Sequence, residues 1–269
     1  MPPKQTKVPG ATSSAPPTGP VATYDWSSAG STGFEHVRQE DLGIPFLSII
    51  QKGSPQFDRD HKDHASKRIE GCDVGDIFNS VTNEVVCSAG DEITFIPCGF
   101  QKLYVEWKTR EHGGGIVKSH PDSTILLDCK RNERGQDILP NGNLIATTSY
   151  FYGIALIDGE QIPCIIGLTS TQLKKGKQWL NIATSIRVQG PGDTKICPPL
   201  YSHTYLLSTT AEKNEAGNWR GWVVRLGTMQ TDPMLIAKCI EYSKSCTNIQ
   251  RQLSAPPSDE VDNPANKHM

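Results

Sequence analysis

The stretch Phe95–Gly115, FIPCGFQKLYVEWKTREHGGG, decides the fold class, because its middle part alternates with the period of a β-strand before it reaches three glycines. One face of this strand is apolar and carries Leu103, Val105 and Trp107. The other face is polar and carries Lys102, Tyr104, Glu106 and Lys108. The pattern therefore predicts a strand that buries one face in a core and presents an aromatic ring between lysines on the other.

Strand and turn signals continue on both sides of this stretch. Residues 92–108 predict one long strand that bends near Pro97 and Gly99, or two strands that break there. Residues 75–86 predict a short strand, a turn and a return. The pair Asp158-Gly159 between two β-rich runs is typical of a hairpin turn. A further hairpin is predicted around residues 213–217.

Two segments carry helical signals. The first begins near Thr169, with Thr169 or Ser170 as the cap and Gln172 at capping-box spacing from Thr169. Its apolar stripe contains Trp179, Ile182, Ala183 and Ile186. The second begins with Asp232 as N-cap and Pro233 at the first helical position. Its predicted packing face contains Ile236, Cys239, Ile240, Ser243, Cys246, Ile249 and Leu253.

Many strands and two helices without βαβ alternation predict an α+β fold with a mostly antiparallel sheet or barrel. The N-terminal residues 1–28 are expected to be a disordered tail, since the first 22 contain six prolines and almost no large apolar side chain. Residues 254–269 are similarly polar and predict a second disordered tail. Residues 29–253 are expected to form a single globular domain.

Composition indicates in which compartment the protein works and which ligands its charge disfavours. The chain has no run of 18 apolar residues and no secretory h-region, so we expect a protein that does not span a membrane and works in the cytoplasm. The eight cysteines form no C-x-x-C pair, and buried thiols are expected. A net charge of −2 argues against coating duplex DNA by bulk positive charge, but residues 171–195 hold five basic residues and one acid.

Catalytic motifs are scarce. The loop containing Asp58, Asp60, His61 and Asp63 has the residue types of a hard-metal site, but it has no helical period to fix the spacing, and a solvated loop is favoured. We find no nucleophile elbow, Walker A lysine motif or dinucleotide-binding glycine pattern. The sequence therefore predicts a protein without enzymatic activity and without a cofactor or metal.

Three clusters combine basic and aromatic residues, as a groove for an unpaired nucleic-acid strand does. Within them, Trp107, Trp179 and Trp222 are expected to pack in the core, because they share faces with apolar residues. Tyr104 and Trp219 lie on polar or mixed faces and are the candidates for base stacking. The candidate phosphate-binding residues are Lys102, Lys108, Arg110, Lys174, Lys175, Lys177, Arg220 and Arg225.

The segments IEGCDVGDIFNSVTNEVV, FIPCGFQKLYVEWKTREHGGGIV and LTSTQLKKGKQWLNI resemble a family of tailed-phage proteins encoded among replication genes and described as single-stranded-DNA-binding proteins. The resemblance covers roughly residues 45–226. It implies an OB-fold-like β-barrel core with added helices that acts on phage DNA during replication or recombination, in the cytoplasm of the host cell.

The favoured function is therefore non-catalytic binding of single-stranded DNA, with phage replication proteins as further candidate partners. A structural or assembly protein of the phage particle is the alternative, in which the same aromatic strands form a surface between subunits. A metal-dependent nuclease using the Asp58–Asp63 loop is a third interpretation. The oligomeric state is not predicted by these patterns.

Overall fold

A computed structural model describes residues 43–109, 114–215 and 217–246 with their side chains, and the backbone of residues 247–252. The described residues belong to one compact unit. Its strands are β1 Leu47–Ile49, β2 Ile77–Asn79, β3 Glu84–Cys87, β4 Ile93–Trp107, β5 Ile116–His120, β6 Lys130–Arg131, β7 Asp137–Ile138, β8 Leu144–Ile157, β9 Glu160–Thr169, β10 Val188–Gln189, β11 Lys195–Ile196, β12 His203–Asn214 and β13 Gly217–Met229. Its α-helices are α1 His64–Lys67, α2 Leu173–Ser185 and α3 Pro233–Gln252.

The main sheet has eight strands and is antiparallel at every strand pair among the described residues. The strands follow the order β13-β12-β4-β8-β7-β6, while β5 pairs with β4 and β9 pairs with β8. Strands β1, β2 and β3 form a small sheet of their own. The predicted α+β class with mostly antiparallel pairing is confirmed.

Strand β4 has the two faces that its sequence predicts. Leu103, Val105 and Trp107 are buried, and the register with β8 shifts between Pro97 and Gly99, where the bend was expected. The hairpin β8–β9 turns at Asp158 and Gly159, both with positive φ, which is the conformation that an Asp-Gly turn supplies. The hairpin β12–β13 is also confirmed.

Each face of the main sheet is covered by one helix. On one face, Trp179 of α2 packs among aromatic rings, stacked on Phe151 with ring centroids 4.0 Å apart and also touching Phe95 and Tyr205. On the other face, α3 contributes Leu235, Cys239, Tyr242 and Cys246 to the core that contains Trp107. Trp107, Trp179 and Trp222 are all buried, as the sequence predicts.

The segment 45–51 links the two edges of the curled main sheet. On β9, the Ile165 N–H donates to the carbonyl oxygen of Pro45 at 2.9 Å. At β13, the side-chain amide of Gln51 donates to the Arg220 carbonyl at 2.9 Å and accepts from the Arg220 N–H at 2.8 Å. One glutamine side chain therefore occupies backbone groups that an edge strand would otherwise leave unpaired.

The two predicted helices form, with two differences. Asp232 caps α3 as expected, because its Oδ1 accepts from the N–H groups of Met234 and Leu235. The predicted packing face of α3 is partly wrong, since Leu235 and Tyr242 are buried whereas Ile240 is exposed. Tyr242, which has the larger side chain, is buried in place of Ile240. The buried face of α3 therefore consists of positions 235, 239, 242 and 246.

The start of α2 also differs from the prediction. Residues Ser170–Gln172 form a 3-10 turn before the helix, and Thr169 makes no side-chain capping bond. The predicted capping box is therefore wrong. The Gln172 side chain instead bonds to groups that are distant in sequence. It accepts from the Trp222 N–H and donates to the Glu212 carboxylate. The buried glutamine satisfies groups on another strand, which outweighs a local cap.

The predicted tails, residues 1–28 and 254–269, lie outside the described residues. Helices in the described part of the chain lack the length and apolar character needed to cross a bilayer.

Candidate nucleic-acid interface

The polar face of β4 continues across its neighbouring strands. In the register with β5, His120 lies directly opposite Tyr104 and Lys118 lies opposite Glu106. Directly opposite residues project to the same side of a sheet, so these side chains share one surface. We call the set Lys102, Tyr104, Glu106, Lys118, His120 and Thr147 the Tyr104 face. Lys102 and Lys118 are exposed, and Tyr104 is half-buried between them.

A buried carboxylate lies within this face. The Asn143 and Asn141 side-chain amides donate to Glu106 Oε1 at 2.6 and 3.3 Å, and His120 Nε2 lies 3.0 Å from Oε2. Burial by itself raises the pKa of Glu106, but the hydrogen bonds from Asn143, His120 and Asn141 outweigh it and lower the pKa below its ordinary value. Glu106 is therefore ionised at neutral pH, and its charge is directed at three neighbours rather than at solvent.

Helix α2 borders the Tyr104 face. A Cβ placed on Gly176 would lie 3.3 Å from Leu168 and 3.5 Å from the Cβ of Ser149, so the helix rests closely on β8 and β9. Ser149 lies directly opposite Lys102. Lys102, on the strand next to β8, therefore lies beside the part of the sheet on which the start of α2 rests.

The basic residues of α2 divide into two groups. Lys174 and Lys177 are exposed, and neither forms an ion pair with another described residue. Lys175 is less accessible, because its Nζ lies 3.0 Å from Glu212 Oε1. Lys174 and Lys177 are thus the cations of this helix that solvent and ligands can reach.

Trp219 belongs to a second site, at the outer part of the β12–β13 hairpin. Its indole Nε1 donates to Glu212 Oε2 at 2.8 Å, and the same oxygen accepts from Gln172 Nε2 at 2.9 Å. The hairpin and the start of α2 are joined by this carboxylate. Lys175 and Trp219 are therefore brought together, whereas the Tyr104 face is built from β4 and β5.

Arg220 and Arg225 point to different surroundings. The Arg220 side chain lies beside Gly75, where a Cβ would be 3.1 Å from its Nε. Arg225 pairs with Glu92. Because Arg220 and Trp219 are adjacent in a strand, their side chains project to opposite faces. The hairpin therefore does not gather its basic residues around Trp219.

The remaining candidates lie at the end of β4. Lys108 is exposed, and its backbone N–H donates to the Gly115 carbonyl at 2.9 Å across the turn. Arg110 lies outside the described residues.

Three residues of the Tyr104 face were missed from sequence: Thr147, which lies opposite Tyr104 on β8, and Lys118 and His120 on β5. Lys118 and His120 follow the glycine turn in the segment IVKSH, and alternation alone would have placed both on one strand face. Matching that face to Tyr104 requires the β4–β5 register, which includes an irregularity between Glu106 and Trp107. The charge and spacing of Lys118 and His120 could have marked them as candidates, but placing them beside Tyr104 requires the β4–β5 register.

The acidic loop after β1 shows local contacts. Asp58 Oδ1 accepts from the Asp60 N–H at 3.1 Å, and His64 Nδ1 lies 2.9 Å from the Pro55 carbonyl oxygen. The segment also contains the short helix α1, where a loop without helix was expected. Across residues 43–109, 114–215 and 217–252, no three His, Cys, Asp or Glu side chains are grouped to hold a metal ion.

Comparison with known protein families shows which family the chain resembles. The profile of the Pam3 phage gp34-like protein family matches residues 12–246, well over half of the 269-residue chain. Neither the curated proteins nor the solved structures include a significant match. The chain therefore belongs to the family of Pam3 phage gp34-like proteins.

Proposed function

We propose that this phage protein binds single-stranded DNA without catalysing a reaction on it, and that it supports DNA replication or recombination in the host cytoplasm. The observation that carries the proposal is the placement of half-buried Tyr104 between exposed Lys102 and Lys118 on one polar sheet face. A base can stack on an aromatic ring while neighbouring lysines contact the phosphates on either side.

The surrounding structure favours an unpaired strand over a duplex as ligand. The aromatic ring is presented from a β-sheet surface beside the rim of α2, where Lys174 and Lys177 add two accessible cations. Stacking requires an exposed base face, which a duplex hides. The curled sheet, linked edge to edge by residues 45–51, is compatible with the OB-fold-like barrel that the resemblance implies, and we include that fold in the proposal.

Substitution of Tyr104 tests the proposal. Tyr104→Ala should weaken binding of a labelled oligo-dT by about 1–3 kcal/mol, roughly 5- to 150-fold, because it removes one stacking ring. The double variant Lys102→Ala/Lys118→Ala should weaken binding and make it less sensitive to salt. Fluorescence anisotropy titrations measure both effects.

Two matched controls separate the site from general surface effects. Phe57→Ala removes an aromatic ring that is 37% exposed in the loop after β1. Lys130→Ala removes an exposed lysine of β6 that projects to the α3 side of the sheet. Both controls should bind like the wild type. Unchanged affinity of a folded Tyr104→Ala variant would count against the proposed site.

A further inference from the structure

We infer that Glu212 is a positioning residue that holds the indole of Trp219 in the orientation in which a base stacks on it. This inference rests on the proposed function, and it adds a second stacking site with its own supporting residue. Glu212 itself contacts no base in this scheme, and it acts through Trp219.

The cross-strand geometry fixes the indole. Glu212 and Trp219 are directly opposite in the β12–β13 register, and the Nε1–H group donates to Glu212 Oε2 at 2.8 Å. An indole has a single hydrogen-bond donor, so one bond to a fixed acceptor restricts the tilt of the ring. Trp219 is half-buried, so part of its ring remains accessible to a ligand.

The carboxylate is itself held in place by Gln172, at the end of the 3-10 turn before α2, and by Lys175 of α2. Gln172 Nε2 donates to Oε2 at 2.9 Å, and Lys175 Nζ lies 3.0 Å from Oε1. Gly221 supplies the space, because a Cβ at that position would lie 2.6 Å from Glu212 Oε2. Two donors, Gln172 and Lys175, and the space at Gly221 therefore determine where the acceptor for the indole lies.

Charge explains why Lys175 is part of this arrangement. Burial raises the pKa of Glu212, but hydrogen bonds from Lys175, Gln172 and Trp219 outweigh it, so that the pKa is below its ordinary value and the group is ionised at neutral pH. An uncompensated carboxylate beside a stacking ring would repel the phosphates. Lys175 offsets that charge, while Lys174 and Lys177 remain exposed for phosphate contacts.

Removing Glu212 has two effects of opposite sign, which makes its substitution decisive. Loss of a negative charge at a surface site favours DNA binding modestly. Loss of the indole acceptor leaves the ring free to adopt other orientations and weakens stacking, which is the larger contribution for a half-buried ring that a base can reach. A positioning role therefore predicts weaker binding, and a purely electrostatic role predicts tighter binding.

The experiment uses the full chain with Glu212→Ala, Glu212→Gln, Trp219→Phe and the double variant Glu212→Ala/Trp219→Phe. Affinity for a labelled 20-nucleotide oligo-dT is measured by anisotropy, and circular dichroism with thermal melting checks folding. Glu215→Gln, an exposed acid near the tip of the same hairpin, is the matched control.

We expect Glu212→Ala and Trp219→Phe each to weaken binding about tenfold, because both break the bond that orients the ring. The double variant should be no weaker than the single variants, since residues acting through one contact are not additive. Glu212→Gln keeps an acceptor oxygen and should bind within about twofold of the wild type. The Trp219 indole N–H resonance in ¹H–¹⁵N spectra should shift in Glu212→Ala and remain near its position in Glu212→Gln.

Other results overturn the inference in distinguishable ways. If Tyr104→Ala weakens binding but Glu212→Ala binds as tightly as the wild type or more tightly, the inference is wrong and the proposed function stands. Additive losses in the double variant would assign Glu212 a structural role instead. If Glu212→Ala does not fold, tenfold weakening by Glu212→Gln would overturn the inference and retained affinity would support it. Absence of oligo-dT binding by the wild type would remove both proposals.

Discussion

Among single residues, Glu106 connects strand β4 to two of its neighbouring strands, β5 and β8. Asn141 and Asn143 lie in the turn that leads into β8, and His120 lies on β5. Only about 7% of Glu106 is exposed, so its charge depends on these partners for compensation. The carboxylate therefore fixes the strands from which Tyr104, Lys118 and His120 project.

Glu106 should make the stability of the protein sensitive to acid. Its pKa in the folded protein is below the unfolded value of about 4.3, so the stabilisation is present above that pH and is lost as the pH falls through the folded pKa. Glu106→Gln should lower the free energy of unfolding by about 1–3 kcal/mol at pH 7. The difference from the wild type should shrink as the pH falls below the unfolded pKa of about 4.3 and through the lower folded pKa.

Urea unfolding at pH 7, 5 and 3 measures this difference. Glu133→Gln, at an exposed position, is the control and should match the wild type at each pH. A difference between Glu106→Gln and the wild type that stayed constant with pH would show that Glu106 stabilises the fold by packing rather than by its charge.

At the scale of elements, strand alternation and turn residues carried the most information. The faces of β4, the Asp158-Gly159 turn and the Asp232 cap depend on neighbouring residues only, and all three predictions are confirmed. The capping box at Thr169 was wrong and the packing face of α3 was partly wrong, because Gln172 and Tyr242 take their positions from partners distant in sequence. Local patterns cannot contain such partners.

The candidate site, too, was predictable only where it depends on residues that are close in sequence. Tyr104 with Lys102 was predictable from one strand, whereas the positions of Lys118 and His120 beside them depend on pairing across the glycine turn. The bond between Trp219 and Glu212 depends on the hairpin register, and the approach of Lys175 depends on how α2 packs. Sequence reasoning identified the residue types, and the long-range register determined which of them meet.

Two glutamine side chains hydrogen-bond to backbone groups along the edge of β13 that faces away from β12. Gln51 bonds to both backbone groups of Arg220, and Gln172 Oε1 accepts from the Trp222 N–H at 2.9 Å. Gln51→Ala and Gln172→Ala should each lower the free energy of unfolding by about 1–3 kcal/mol, because each leaves buried or half-buried polar groups unpaired.

Chemical denaturation with urea checks this prediction. Gln178→Ala on the exposed side of α2 is the matched control and should change the free energy of unfolding by less than about 0.5 kcal/mol. Equal effects for all three glutamines would indicate that the side-chain bonds along β13 contribute nothing specific to stability.

At the scale of the whole molecule, a net charge of −2 means that affinity for DNA has to come from local groups. The accessible cations at the proposed site are Lys102, Lys118, Lys174 and Lys177. If these four neutralise four phosphates of a single strand, log K should fall with log salt with a slope of roughly −3. A protein that coated duplex DNA nonspecifically would instead bind both forms of DNA.

Binding of single-stranded DNA can be tested by an anisotropy titration of labelled oligo-dT, and of a duplex of equal length, with the wild-type chain at several salt concentrations. We expect saturable binding to the single strand, weaker binding to the duplex, and a salt slope near −3. Absence of single-strand binding at low salt, or equal affinity for the duplex, would contradict this expectation and would favour a role in the phage particle.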